Sequence, residues 1–164
     1  VIVPNQEKRR IPTQLEDFEA PMVNTYSLET TIAEKIDAIL SLMEFSSRMK
    51  DYYDIYYLAN KFDFDGNILS NALRKTFENR GHTFTTEQFE AVMSFDGDEG
   101  MQKKWKAFCH KIDVKTDNYS TVLRTIQKFL IKPFIAAINE DFFREHWIAN
   151  KNAWEQGGYV RWLK

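Results

Sequence analysis

The sequence has 164 residues, the length of one ordinary domain. Its content of 43% hydrophobic and 28% charged residues is typical of a globular protein and excludes a disordered chain. The net charge of −2 excludes a global basic field for nucleic acid, so any nucleotide or RNA site must be a local cluster.

The cysteine content and the lack of long apolar runs indicate in which cellular compartment the protein is expected. Cys109 is the single cysteine, so no internal disulfide can form, and we expect a reducing cytoplasm. No run of about 18 apolar residues occurs, so we expect neither a transmembrane helix nor a membrane partner. The sequence begins Val-Ile-Val-Pro without Met, which we interpret as a fragment boundary.

The first 26 residues differ from the rest of the chain. Two short β-like pieces, residues 1–3 and 22–26, flank a polar stretch that contains Pro12 and Pro21. We interpret residues 1–26 as the margin of a sheet and residues 27–164 as a helical domain.

From Ser27 onward, apolar residues recur at helical spacing. Ser27 is a good N-cap, and Glu29 in the first turn complements the helix dipole. Thr85 is a candidate to open a short helix, and we expect Pro133 to kink or end a long one. Further helices are predicted over about 47–61, 68–79 and 101–111, from about 120, and around Phe142, Phe143 and Trp147, with turns at 62–67 and 96–100. The predicted fold class is therefore mainly α: a bundle of six or seven helices packed on aromatic residues, with a small N-terminal β remnant.

Charges on the first helix fall on two different faces. At about 100° per residue, Glu34, Asp37, Ser41 and Glu44 share one polar arc, which we interpret as a solvated face. Lys35 lies instead at the edge of the apolar arc. A lysine in that position must extend its ammonium to water or meet an anion inside the fold.

The second helix also has charged side chains at its apolar side, but these charges are negative. Asp51 projects into its apolar side and Asp54 lies on the border of that side, while Lys50 is on the adjoining face and Arg48 starts the helix. Because buried charges are costly unless paired, a contact of Lys35 with Asp51 or Asp54 is the simple structural interpretation. The functional interpretation is a phosphate site of Lys35, Lys50 and Arg48, in which Asp51 or Asp54 positions the phosphates or acts as a base. The two interpretations are compatible.

At these residues the sequence resembles the AbiEii/AbiGii nucleotidyltransferase toxins. The motifs are Tyr-Ser-Leu-Glu-Thr at 26–30, Ala-Glu-Lys at 33–35 and Ser-Arg-Met-Lys-Asp-Tyr-Tyr-Asp at 47–54. The opening Ile-Val-Pro, the turn at Arg80, the helix with Trp105 and the helix with Pro133 extend the resemblance over essentially the whole chain.

The resemblance implies a polymerase-β-like nucleotidyltransferase core, of which residues 1–26 would be a remnant, followed by a helical C-terminal domain. Such proteins transfer a nucleotide from a nucleoside triphosphate with Mg²⁺ held by acidic residues. Some are toxins of toxin–antitoxin systems, which makes an antitoxin and tRNA expected partners of the complete protein. Lys35 would match the family's essential lysine, and Asp51 or Asp54 its later essential aspartate, beside the nucleotide-binding Arg48 and Lys50 of the phosphate-site interpretation above.

One part of the family pattern is absent. A Gly-Ser turn followed by an Asp-x-Asp pair supplies the metal ligands in the family, and this sequence contains no Gly-Ser followed by such a pair. Asp63-Phe64-Asp65 imitates the pair, but no Gly-Ser precedes it. Because two metals clamp the phosphates in this chemistry, we expect the chain alone to be inactive and to hold no cofactor tightly. The alternative is a non-catalytic helical module that binds an antitoxin or nucleic acid.

Overall fold

The computed structural model describes residues 27–45 and 48–156. This part of the chain is mainly helical, as predicted. Six α-helices occur in it: α1 Leu28–Leu42, α2 Met49–Lys61, α3 Gly66–Arg80, α4 Thr86–Met93, α5 Glu99–Ile112 and α6 Tyr119–Asn139. Three strands form one antiparallel sheet in the order β1-β2-β3: β1 Phe64–Asp65, β2 His146–Ile148 and β3 Ala153–Glu155. The sheet margin predicted for residues 1–26 lies outside the described residues.

The helix starts follow from local side-chain caps. The Ser27 hydroxyl accepts the backbone N–H of Thr30 at 3.1 Å, which confirms the predicted N-cap of α1. Thr85 and Gln88 form a reciprocal capping box that opens α4, so the short helix predicted there is also confirmed. The loop predicted over 96–100 is shorter than expected, because α5 already begins at Glu99.

Two long helices organise the bundle. α6 packs against α2, α3 and α4, and α1 packs against α2 and α3. The isoleucines on the apolar face of α1 are fully buried in the shared core, and they fix the direction in which its charged side chains point: Ile32, Ile36 and Ile39. The charges of α1 and α2 are therefore brought next to one another by this packing.

The helix predicted around Phe142, Phe143 and Trp147 is wrong, because this segment contains strand β2. Trp147 pairs with Phe64 of β1 and with Trp154 of β3. Its fully buried indole donates a hydrogen bond to the Ala59 carbonyl at 2.7 Å. Ala59 lies in the last turn of α2, where carbonyls have no partner within the helix. These long-range contacts favour the extended conformation around Trp147. They also explain why part of the segment 62–67, predicted to be a turn, is strand β1 instead.

Pro133 does not end its helix, which continues to Asn139. A proline inside a helix lacks the N–H that would bond to the carbonyl four residues earlier. That carbonyl belongs to Phe129, and it accepts a hydrogen bond from the Trp154 indole at 3.0 Å. The Trp154 indole of β3 thus supplies the hydrogen-bond donor that Pro133 lacks.

Within the two described stretches, no helix combines the length and apolar character that crossing a bilayer requires.

Candidate functional site

The inward-facing charges of α1 and α2 form one ion-pair network. Lys35 Nζ lies 2.9 Å from Asp54 Oδ2 and 3.4 Å from Asp51 Oδ1. Arg48 Nε lies 2.8 Å from Asp51 Oδ2, and Lys50 Nζ contacts Asp54 Oδ2 from one turn earlier in α2. Lys35 therefore makes both of the contacts that the sequence left open as alternatives. Each carboxylate is shared by two cations.

The network places its carboxylates inside and its cations outside. The side chains of Asp51 and Asp54 are only 4% and 2% exposed. By contrast, Arg48 is 58% exposed, Lys50 is 40% exposed and Lys35 is 18% exposed. A molecule that approaches from solvent meets ammonium and guanidinium groups, whose orientation is set by the carboxylates behind them.

An open cleft of about 280 Å³ lies in front of this network. Its lining includes three cations, namely Lys35 of α1, Arg48 at the start of α2 and Arg80 at the end of α3. The remaining lining residues are Thr31, Glu34, Ala38 and Asp51. The cleft is thus formed where three helices meet, and its lining carries three cations and two carboxylates.

Asp37 corrects the interpretation of the polar arc on α1. Its carboxylate is 1% exposed rather than solvated, and it accepts from Arg80 Nη1 at 3.3 Å and lies 2.8 Å from His82 Nδ1. Neither Arg80 nor His82 was predicted to be a site residue. Arg80 ends α3 and His82 lies just beyond it, and α3 packs against α1, which a helical projection of α1 alone cannot show. The Arg80-Gly81 pair was the available signal, because a glycine there ends α3 in the left-handed conformation at φ +68°.

A buried tyrosine pair packs behind the network. Tyr52 of α2 and Tyr119 of α6 meet edge to face at 5.5 Å between ring centroids. Burial raises the pKa of Tyr52 to about 12 and raises that of Tyr119 as well. Both phenols are therefore protonated at neutral pH, and neither is suited to act as a base there.

The described residues do not fit a Mg²⁺ site. No group of three or more His, Cys, Asp or Glu side chains within 27–45 and 48–156 is arranged to hold a metal ion. Asp51 and Asp54 are already shared among three cations, and such positive surroundings disfavour a divalent metal. In the Asp63-Phe64-Asp65 sequence, Asp65 caps α3 and Asp63 accepts the backbone N–H of Ala149. Both carboxylates of that sequence have structural partners.

The family of the chain is shown by a sequence match. A family model described as "Nucleotidyl transferase AbiEii toxin, Type IV TA system" matches residues 1–132. The chain belongs to the AbiEii family. The AbiEii match includes all of α1 to α5 and ends within α6, so every residue of the cleft lies inside it. The chain has no significant match among the curated proteins or the solved structures.

Proposed function

We propose that the cleft binds the phosphates of a nucleoside triphosphate and forms the nucleotide side of a nucleotidyl transfer site. The observation that carries the proposal is the layering of charge, in which the buried carboxylates of Asp51 and Asp54 contact cations that are all more exposed than they are: Lys35, Arg48 and Lys50. Charge-assisted hydrogen bonds to phosphate oxygens are among the strongest that side chains make. A cation whose position is already fixed loses less entropy when it binds such a ligand.

The residues divide into two roles. Lys35 is proposed as the central phosphate ligand, because among the described residues it is the cation that contacts both carboxylates. Arg48, which lines the cleft, and Lys50, which is 40% exposed and shares Asp54 with Lys35, are proposed to contact the nucleotide as well. Asp51 and Asp54 are proposed to position these cations rather than to accept a proton, since each already neutralises two of them. The positive groups would stabilise negative charge that develops as an acceptor attacks the α-phosphate and pyrophosphate leaves.

The proposal concerns the nucleotide side only. The described residues do not fit Mg²⁺, and the Gly-Ser and Asp-x-Asp segment of the family pattern is not present in the sequence. We therefore derive no metal-dependent step from these residues. An antitoxin partner is supported by the family description, which names a type IV system. A tRNA acceptor is a further part of the proposal and rests on the resemblance alone.

The test is equilibrium binding of ATP, GTP, CTP and UTP to the 164-residue chain by isothermal titration calorimetry, with and without Mg²⁺. Lys35→Gln should weaken binding about ten- to a hundredfold, the range expected for a lost charge-assisted hydrogen bond. Lys61→Gln is the matched control, because Lys61 is an exposed cation at the last residue of α2. It should leave affinity within about twofold.

Two results would overturn this proposal. One is a wild-type chain that binds none of the four triphosphates, which would favour the helical module that binds an antitoxin or nucleic acid. The other is a folded Lys35→Gln variant with wild-type affinity.

A further inference from the structure

Arg80 reaches the cleft from a third helix. It is the last residue of α3, and the backbone after it turns sharply because Gly81 adopts a left-handed conformation. The turn is closed by hydrogen bonds from Gly81 N to Glu78 O at 3.1 Å and from His82 N to Phe77 O at 2.9 Å. This helix ending fixes where the Arg80 side chain leaves the backbone, so its position in the cleft is built into the fold.

Arg80 lines the cleft and contacts two carboxylates. Nη1 lies 3.3 Å from the buried Asp37 carboxylate, and Nη2 lies 3.9 Å from Glu34, beyond hydrogen-bond distance. A guanidinium carries five N–H donors in a planar fork, and the side chain is 43% exposed. Asp37 also has a second partner, His82, at 2.8 Å. Within the described residues, the contact with Asp37 therefore uses only part of the N–H donors of the Arg80 guanidinium.

The Arg80 pair repeats the layering of the Lys35 network. In both, a carboxylate that is no more than 4% exposed lies behind a cation that opens on the same cleft. Because two such carboxylate–cation pairs involve different helices, the cleft is suited to a ligand that carries more than one phosphate group. The planar fork of an arginine also matches two oxygens of a phosphate at once.

We propose that Arg80 is a further phosphate-binding residue of the cleft, held in place by Asp37, and that it binds the same polyphosphate chain as Lys35. This inference rests on the proposed function, since it assumes a polyphosphate ligand in the cleft. It adds α3 to a site that the sequence motifs place only on α1 and α2.

The experiment must distinguish a role of Arg80 in ligand binding from a role that is limited to neutralising Asp37. The probe is inorganic tripolyphosphate, which carries the phosphate chain without a base or sugar, titrated into the 164-residue chain by calorimetry. The main variant combines Asp37→Asn with Arg80→Gln, so that no uncompensated buried charge remains when the guanidinium is lost. Arg74→Gln is the matched control, because Arg74 lies on the same helix, is 34% exposed and lies outside the cleft lining. Circular dichroism verifies that each variant is folded.

The double variant should bind tripolyphosphate about tenfold more weakly than wild type, and Arg74→Gln should bind within about twofold of it. If the double variant does not fold, Arg80→Gln alone is measured against the same expectation. Wild-type affinity in a folded Arg80 variant, together with weakened binding by Lys35→Gln, would overturn the role of Arg80 and leave the proposed function standing. Absence of any tripolyphosphate binding by the wild type would overturn both.

Discussion

Replacing Lys35 with methionine removes the cation that joins α1 to α2 but keeps an apolar stem of similar length. The replacement leaves the carboxylates of Asp51 and Asp54 in place at 4% and 2% exposure. The losses include the contacts of the ammonium with Asp51 at 3.4 Å and with Asp54 at 2.9 Å. The free energy of unfolding should fall, because buried carboxylates then have fewer positive partners.

The size of the loss follows from what remains around each carboxylate. Breaking a fully buried ion pair costs about 3–5 kcal/mol. Here Arg48 remains on Asp51 and Lys50 remains on Asp54, and Lys35 itself is 18% exposed. The cost is therefore closer to that of a charge-assisted hydrogen bond, about 2 kcal/mol. With a urea dependence of about 2 kcal/mol per M, the unfolding midpoint should shift down by about 1 M.

Urea unfolding followed by circular dichroism measures this shift. Lys61→Met serves as the control, because Lys61 is exposed and lies over the Tyr57 ring at 6.0 Å rather than on a carboxylate, so its effect should stay within about 0.5 kcal/mol. Adding Asp51→Asn and Asp54→Asn to the Lys35→Met variant should restore part of the lost stability, since no buried charge is then left under-compensated. A Lys35→Met variant within about 0.5 kcal/mol of wild type would refute the reasoning.

Three further changes test the packing around the site. Gly66→Ala should destabilise the fold by about 2 kcal/mol in urea unfolding, because the added Cβ would meet a backbone carbonyl at 2.6 Å, whereas Gly97→Ala meets nothing within 4 Å and should be near neutral; equal effects would contradict this. Trp147→Phe should cost about 1–3 kcal/mol in the same assay because the buried Ala59 carbonyl loses its indole donor, and an unchanged midpoint would show that this hydrogen bond is dispensable. Tyr52 has a pKa raised to about 12 in the folded chain and near 10.0 when unfolded, so its stabilising contribution is complete below pH 10 and is lost as the pH rises towards 12. Tyr52→Phe should therefore gain stability relative to wild type by about 1.4 kcal/mol per pH unit in that window, and a constant difference would argue against the raised pKa.

The local features of the helices could be predicted from the sequence because they depend on neighbouring residues. The Ser27 cap and the Thr85 cap act over three residues, and the helical repeat of apolar side chains acts over one or two turns. The same repeat showed that Lys35 and Asp51 face inward, and the cost of burying them unpaired predicted their contact. The assignment of the chain to its family also depended on these motifs.

Apart from the early start of α5, which Asp98 caps locally, the features that were wrong or missed depend on residues far apart in the chain. Asp37 becomes buried because the end of α3 brings Arg80 and His82 over α1, more than forty residues later in the chain. The segment around Trp147 becomes a strand because partners from β1 and β3 pair with it.

The sequence alone therefore determined the helical class, the family and the pairing of charges between α1 and α2, since short-range periodicity and the cost of buried charge decide these. Only the tertiary structure decided that α3 completes the cleft with Arg80 and that Pro133 lies inside a continuous helix. In both cases the deciding partner, Asp37 for Arg80 and the Trp154 indole for the Phe129 carbonyl, is brought into reach only when the bundle packs.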